Sequence, residues 1–163
     1  TVRRQGVLGE RRWRFLVGEH VSEKDFQALL ESAESIETGV ANSAEVIVER
    51  VRSDFRELLG RAFLSVSQGG YNTVLDILDS GVRALIVAYH DESEQEQLLR
   101  ARILEARGFV HVIPNGELTQ GLLGTAIERA TREPTVQANI DLDGAQRTVE
   151  LLATALGGCP RIG

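Results

Sequence analysis

The chain has 163 residues, 42% of them apolar, which is enough for one domain with its own hydrophobic core. It carries 24 acidic and 18 Lys and Arg side chains, and the net charge of -6, without a basic cluster, argues against nucleic acid as a partner. No apolar stretch reaches the roughly 18–20 residues that cross a bilayer, and a single cysteine, Cys159, excludes an internal disulfide framework.

Apolar segments alternate with segments of helical periodicity along most of the chain. The predicted strands are, in chain order, residues 12–17, 44–51, 62–66, 83–89 and 109–113. The predicted helices are residues 22–33, residues 53–62, a segment that follows Gly70 and ends at Gly81, and residues 93–108, 118–131 and 143–156. This alternation predicts an α/β fold, a Rossmann-like parallel sheet with helices on both faces.

Local signals mark several predicted helix ends. Ser22, with Asp25 three residues later, is typical of an N-cap, and Ser53 is predicted to cap the following helix. Gly81 and Gly108 follow the last periodic residues of their helices and are predicted to terminate them.

The run "SVSQGGYNTVLD", residues 65–76, joins a predicted buried strand directly to a helix. Gly69 and Gly70 allow a sharp turn and a close approach of a ligand, and the free N–H groups of the next turn favour an anion such as a phosphate. Asn72 and Thr73 add short polar side chains for phosphate oxygens. The alternative is a tight connection with no ligand, in which Asn72 or Thr73 caps the helix. G-x-G-x-x-G is absent, which argues against a nicotinamide dinucleotide.

Asp76 and the pair Glu96 and Gln97 extend this hypothesis beyond the turn. Asp76 lies about 9 Å along the helix from Gly70, where a carboxylate suits the hydroxyl pair of a ribose. Glu96 and Gln97 follow the next strand and offer acceptors and donors to a polyol such as a sugar. The alternatives are a solvated helix carboxylate at Asp76 and a capping box formed by Ser93 and Glu96.

The runs "GVANSAEVIVERVRSDFRELLGRAFLSV" and "SVSQGGYNTVLDILDSGVRALIVAYHDESEQEQLLRARILEARG" resemble the C-terminal, donor-binding half of the GT-B glycosyltransferases of family 28. This family includes the peptidoglycan lipid-intermediate N-acetylglucosaminyltransferase. The most specific parts are "GGYNTVLD" and "EQLLRA", and with weaker flanks the likeness covers most of the chain.

The resemblance implies a role for each candidate residue. The diphosphate of a nucleotide sugar would bind the turn and the residues around it, which are Gln68, Gly69, Gly70, Asn72 and Thr73. The ribose would bind an acidic residue in the helix, Asp76, and the sugar hydroxyls would bind the pair before the next helix, Glu96 and Gln97. The uracil would pack on the loop after the second strand, on Val51 and, as a further candidate, Arg52. Many relatives have a histidine where this chain has Gln68, so one phosphate contact is expected either to be weaker or to come from elsewhere.

The resemblance also implies an activity. The expectation is the donor half of an inverting, metal-independent glycosyltransferase that uses a UDP-sugar and no cofactor. The alternative is a nucleotide-sugar-binding module that acts only with a partner chain, as in the split N-acetylglucosaminyltransferase of dolichol-linked glycan synthesis. Either protein would lie in the cytoplasm, with the whole assembly peripheral to a membrane.

We expect residues 1–163 to be one donor-binding domain and a fragment of a longer protein. The chain begins with Thr1 and contains no methionine, and the family places a further strand with a glycine-rich loop, and an N-terminal acceptor domain, before residue 12. The catalytic base is expected in that domain. Among the histidines of this chain, His20 is the best placed for a site role, ahead of His90 and His111. An apolar stripe on the last helix, formed by Val149, Leu152, Ala153 and Leu156, is expected to be exposed if a partner domain normally covers it.

Overall fold

The computed structural model describes residues 2, 6–37, 45–134, 136–137 and 144–155. The strands are β1 (Trp13–Val17), β2 (Val46–Arg50), β3 (Ser65–Ser67), β4 (Ala84–Ala88) and β5 (His111–Pro114). The helices are α1 (Glu23–Glu37), α2 (Phe55–Arg61), α3 (Tyr71–Ser80), α4 (Glu96–Ala106), α5 (Gln120–Arg132) and α6 (Gly144–Ala155), and a short 3₁₀ turn covers Asn115–Glu117. The predicted order of strands and helices is confirmed.

All strand pairs among the described residues are parallel, and they form a two-stranded and a three-stranded sheet. β1 pairs with β2, while β4 lies between β3 and β5. Leu85, the second residue of β4, is in register with Val66 on one side and His111 on the other. The starts of β1 and β3 lie close together, since the Arg11 guanidinium is 3.8 Å from the centroid of the Phe63 ring.

β4 is buried on both faces because helices cover both sides of the three-stranded sheet. On one face, Ile86 packs in a cluster with residues of α3 and α4, including Ile77 and Leu104. On the other face, Leu85 packs with Ile113 and with Ile127 of α5. An apolar strand without alternation, such as residues 84–88, is what this two-sided burial requires. The predicted α/β fold with a parallel sheet and helices on both faces is therefore confirmed.

The helix ends show which capping signals were read correctly. The Ser22 hydroxyl accepts a hydrogen bond from the Asp25 N–H at 3.1 Å, as predicted. Gly81 and Gly108 have φ of 65° and 76° and end α3 and α4, since a left-handed residue is what terminates such helices. α1 continues to Glu37, beyond its predicted end at Ala33.

No helix within the described ranges is long and apolar enough to cross a membrane. Among the predicted stripe residues, Val149 and Leu152 on α6 are 61% and 55% exposed. The side chains of Ala153 and Leu156 lie outside the described part of the chain.

Candidate nucleotide-sugar site

The glycine turn lies at the carboxyl end of β3. Gly69 has a φ of 84°, and a Cβ there would come within 2.4 Å of the Ile86 Cγ2 atom of β4. Only glycine satisfies both requirements, so this residue is needed by the fold itself. Gly70 has a φ of -57°, and among the described residues no atom beyond its own chain neighbours lies within 4 Å of the place where its Cβ would stand. The described part of the fold therefore does not require a glycine at this position.

Helix α3 begins directly after this turn with no side-chain cap. Gly70 is the N-cap residue, and its carbonyl accepts the first helical hydrogen bond from the Val74 N–H at 3.0 Å. Neither Asn72 nor Thr73 therefore caps the helix, so this part of the alternative interpretation is wrong. Both residues lie in the first turn, with Asn72 exposed and Thr73 half-buried. The N-terminal N–H groups and the helix dipole thus remain directed toward the strand end, where they favour an anion.

Asp76 is paired rather than solvated. Its side chain is only 15% exposed, and its Oδ1 accepts a hydrogen bond from the Arg56 Nε at 2.6 Å. Arg56 lies on α2, so the ion pair ties α2 to α3. The Arg56 side chain is 71% exposed, and an ion pair with one solvated partner is weak and exchanges readily. The role of Asp76 in binding a ribose remains a prediction.

The loop after β2 carries Val51 at the carboxyl end of the two-stranded sheet. Val51 is 42% exposed, and its N–H donates to the Val17 carbonyl at 3.0 Å, which extends the pairing with β1. The next residue, Arg52, donates to both carboxylate oxygens of Asp54 at 2.8 Å, and this pairing raises the pKa of Arg52 and lowers that of Asp54. The helix that follows this loop, α2, contacts α3 through the Arg56–Asp76 pair and through the apolar cluster that includes Leu59 and Val74.

The prediction of Ser53 as the cap of α2 is wrong. Asp54 is the N-cap residue and its side chain makes no capping hydrogen bond, because its carboxylate is turned toward Arg52. A carboxylate at an N-cap can accept either from the backbone N–H groups of its helix or from a nearby side chain, and here the Asp54 carboxylate accepts from the Arg52 guanidinium.

Asp91 organises the loop between β4 and α4, and the sequence analysis missed it. One carboxylate oxygen accepts from the Tyr89 hydroxyl at 2.6 Å. The other accepts from the Ser93 N–H, the Ser93 hydroxyl and the Glu94 N–H, all at 2.8 Å. These bonds, the one from Tyr89 first, hold the pKa of Asp91 well below its usual range and raise the pKa of the Tyr89 hydroxyl. The sequence did contain a signal for this turn, because an Asp side chain often accepts a hydrogen bond from the backbone two residues later, where this chain has Ser93.

The predicted capping box of Ser93 and Glu96 is wrong for the same reason. Ser93 is held by Asp91, and α4 begins at Glu96 with Gln95 as its N-cap residue. The Glu96 side chain is 76% exposed and bonds the Arg100 Nη1 at 2.9 Å. Gln97, by contrast, is partly buried, so the two members of the predicted sugar-binding pair differ in their surroundings.

Buried polar atoms without a hydrogen-bond partner collect around the turn. Of the four such atoms within the described ranges, three are Ser67 Oγ at the end of β3 and Gln97 Oε1 and Arg100 Nε in the first turns of α4, and the fourth, Arg83 Nε, lies at the other end of the sheet. The Arg100 guanidinium carbon lies 5.5 Å from the centroid of the Tyr71 ring, which brings the starts of α3 and α4 together. Because buried polar groups are nearly always paired in folded proteins, such a group of atoms is typical of a binding site.

An open, mainly apolar groove of about 390 Å³ adjoins the turn. It follows the carboxyl ends of the three-stranded sheet, and its walls include the exposed side chains of Val66 and Leu118. Its remaining lining consists of Ser67, Gln68, Val87, Tyr89 and Asn115. The exposed Gln68 thus stands between the glycine turn and this groove.

The histidines occupy different places. His20 is exposed after the carboxyl end of β1, where the sequence had placed it. The ring Nδ1 of His90 lies 2.6 Å from the Asn115 Oδ1, which links the loops after β4 and β5. His111 starts β5 at the opposite, amino edge of the sheet, 3.8 Å from Glu133, and is therefore remote from the turn.

Comparison with known proteins decides the family. Residues 16–153 match the model of the glycosyltransferase family 28 C-terminal domain. The chain belongs to this family. Its parallel strands and flanking helices are accordingly the Rossmann-like C-terminal half of a GT-B fold.

Relatives of this family 28 domain include a curated enzyme and solved structures. Over 82 residues, half of the chain, it is 35% identical to the UDP-N-acetylglucosamine--N-acetylmuramyl-(pentapeptide) pyrophosphoryl-undecaprenol N-acetylglucosamine transferase of Rhizobium rhizogenes strain K84. The crystal structure of Acinetobacter baumannii MurG matches 88% of the chain with a TM-score of 0.62 and 15% identity, and that of the glycotransferase of kitacinnamycin matches 88% with a TM-score of 0.53 and 17% identity.

The domain spans only part of these proteins. The matched region is 22% of the Rhizobium enzyme, 41% of the MurG chain and 40% of the kitacinnamycin glycotransferase. Because the two solved structures are only 15% and 17% identical to the chain, their similarity shows the fold alone. The roles of individual site residues in the family 28 domain remain predictions.

Proposed function

We propose that this domain binds the UDP-sugar donor of an inverting, metal-independent hexosyltransferase. The observation that carries the proposal is the uncapped start of α3 after the Gly69–Gly70 turn, beside buried polar atoms without partners. An anion at that point meets free N–H groups and the positive end of the helix dipole.

The donor residues are assigned from one end of the ligand to the other. The diphosphate lies against Gln68, Gly69, Gly70, Asn72 and Thr73. The ribose hydroxyls bond Asp76, whose Oδ1 is held by Arg56. The sugar hydroxyls bond Glu96 and Gln97 at the start of α4, and the uracil packs on the exposed Val51.

In the transfer step, an acceptor hydroxyl attacks the anomeric carbon as the bond from that carbon to the diphosphate oxygen breaks. The proton of the hydroxyl passes to a base, and the charge that develops on the departing UDP is stabilised by the N–H groups of α3 and by Asn72 and Thr73. This stabilisation by fixed dipoles takes the place of a metal ion. The base and the acceptor site are proposed to come from another domain, in the same chain or in a partner, and this domain alone is expected to be inactive.

A second candidate is a donor-binding subunit that works only on a partner chain at the cytoplasmic face of a membrane. The observation that favours it is the apolar surface of α6, where Val149, Leu151 and Leu152 are 61%, 66% and 55% exposed. Charged substitution of Val149 and Leu152 is expected to abolish transferase activity of the complete enzyme and to leave UDP binding intact. Activity that survives both substitutions would count against the second candidate.

The proposed function is tested by NMR titration of the chain with UDP. We expect weak binding, with a Kd of roughly 0.1–5 mM, since the sugar end of the donor stays solvated and one domain alone offers few contacts. The chemical shift changes are expected at residues 67–76 and at the start of α4. Tighter binding of NAD than of UDP, or shifts clustered at the amino edge around His111, would contradict the proposal.

A further inference from the structure

Arg100 places a cation at the start of α3. It lies in the second turn of α4, and its guanidinium carbon is 5.5 Å from the ring centroid of Tyr71, the residue that opens α3 after Gly70. The positive charge therefore lies near the side chain of the first residue of α3. A cation and the free N–H groups at the start of a helix attract the same kind of ligand, an anion.

One end of the Arg100 guanidinium is paired, while its Nε has no hydrogen-bond partner among the described residues. The side chain is 23% exposed, and its Nη1 donates to the Glu96 Oε1 at 2.9 Å. The Nε is buried and has no acceptor among the described residues. A guanidinium offers bidentate hydrogen bonds along its edges, and the bond to Glu96 through Nη1 leaves the edge formed by Nε and Nη2 for another acceptor.

The other arginines near the site are engaged differently. Arg52 donates hydrogen bonds from its Nε and Nη2 to the two carboxylate oxygens of Asp54, and Arg56 donates from its Nε to Asp76. Their side chains are also more exposed, 46% and 71%, than that of Arg100. Arg100 thus combines a buried N–H that has no acceptor among the described residues with a position near Tyr71, the first residue after the turn.

We propose that Arg100 is a further donor-binding residue, which holds the diphosphate of the nucleotide through its Nε and Nη2. The inference rests on the proposed function, because it names a contact in the same site. Glu96 keeps the guanidinium oriented through Nη1, and the phosphate oxygens complete the pairing of the buried Nε. This contact supplies the positive charge that the uncharged Gln68 does not bring to the turn.

The test is the affinity of the wild-type chain and of Arg100→Gln, Arg100→Lys and Arg102→Gln for UDP and for uridine, measured by NMR titration. Arg102 is the matched control, since it lies on the same helix and forms a similar ion pair with Glu105 at 2.7 Å. Arg100→Gln is expected to weaken UDP binding about 10-fold to 100-fold and to leave uridine binding unchanged. Arg100→Lys keeps the charge without the fork and is expected to show a smaller loss. Arg102→Gln is expected to bind both ligands as the wild type does.

The outcomes separate the two proposals. If the wild type binds UDP and Arg100→Gln and Arg100→Lys bind it equally well, the role of Arg100 is refuted while the proposed function stands. An equal loss for UDP and uridine also refutes it, because Arg100 would then shape the domain rather than contact the diphosphate. If the wild type binds no UDP, both proposals fail. Melting curves of the variants establish that each one is folded.

Discussion

The three-stranded sheet has an amino edge, where its parallel strands begin, and a carboxyl edge, where they end. Charged and polar side chains lie at both edges, but their hydrogen bonding differs. At the amino edge, around a cavity of about 160 Å³, Glu105 bonds the Val112 N–H at 3.0 Å and Arg102 at 2.7 Å, and Glu133 bonds Arg129 at 2.8 Å.

At the carboxyl edge the pairing is incomplete. Ser67 Oγ, Gln97 Oε1 and Arg100 Nε are buried without partners among the described residues. Arg83 Nε is a similar atom at the amino edge, but its guanidinium lies over the Phe63 ring, 5.5 Å from the centroid. Charges that pair with one another stabilise a fold, whereas each buried polar atom without a partner needs a separate explanation, and a bound ligand is the one we propose at the carboxyl edge. Substitutions at the amino edge should therefore change stability, and those at the carboxyl edge should change binding.

The largest effect is expected at Gly69, the residue of the carboxyl edge that serves the fold. Gly69→Ala is expected to lower the free energy of unfolding by about 3 kcal/mol, because the new Cβ meets Ile86 and the backbone is left-handed. Urea denaturation measures this. Gly70→Ala is the control, with open space at its Cβ and a φ of -57°, and should weaken UDP binding with little change in stability. Equal destabilisation by the two substitutions would remove the distinction between these glycines.

Asp76→Asn is expected to weaken UDP binding by roughly 10-fold to 100-fold. The amide keeps the shape of the side chain but loses the charge-assisted part of its bonds to the ribose hydroxyls, about 1.5–3 kcal/mol. Inorganic diphosphate should bind as before, since the turn is untouched. Stability is expected to fall only slightly, because the partner lost is the mostly exposed Arg56. Calorimetry with both ligands on the domain together with the proposed acceptor domain, and a melting curve, measure these effects, and an equal loss for UDP and diphosphate would assign Asp76 to the shape of the turn.

Glu105→Ala at the amino edge is expected to show the opposite behaviour. It removes the acceptor of the Val112 N–H in β5 and should lower the free energy of unfolding by about 1–2 kcal/mol, with UDP affinity unchanged. Glu105→Gln keeps an acceptor oxygen and should lie closer to the wild type. A loss of UDP affinity in Glu105→Ala without loss of stability would show that the two edges do not differ in the way described.

The smallest effect concerns Asp91, the one well-paired carboxylate described in the loop that leads into α4. Its pKa is lowered in the folded protein, so its stabilisation is present above the ordinary carboxylate pKa and is lost as the pH falls toward the folded value. Asp91→Asn should therefore lower the melting temperature at pH 7, and the difference from the wild type should shrink on acidification to pH 3. Glu92→Gln next to it is the control and should leave the pH dependence unchanged. A difference that grows on acidification would contradict the assigned hydrogen bonds.

The sequence was sufficient for features that depend on neighbouring residues. The strand and helix order follows from periodicity, and Gly81 and Gly108 end their helices because each adopts a left-handed conformation. The glycine turn before α3 was also predicted correctly, since a strand followed at once by paired glycines and a helix leaves few other geometries.

Features that depend on competition or on distant residues could not be predicted. Ser53 and Ser93 were predicted to cap their helices. Instead, the N-cap residue of α2 is Asp54, whose carboxylate bonds Arg52, and Ser93 bonds Asp91. The pairing of Asp76 with Arg56 joins residues on different helices, and no local pattern announces it. The same holds for the arrangement of the strands in two hydrogen-bonded sheets, because periodicity identifies strands without saying which strands are neighbours.

The arrangement in two sheets also has a consequence for amide hydrogen exchange. The β4 residues Ala84, Leu85, Ile86 and Ala88 are at most 1% exposed, and the strand is flanked on both sides by β3 and β5. Its amides should exchange only through global unfolding. The pair of β1 and β2 has a smaller apolar core, represented by Val17 and Val46 at 7% and 9% exposure. These strands should open as a separate cooperative unit at a lower free energy, so the exchange rates of the backbone should fall into a slow class at β4 and a faster class in β1 and β2.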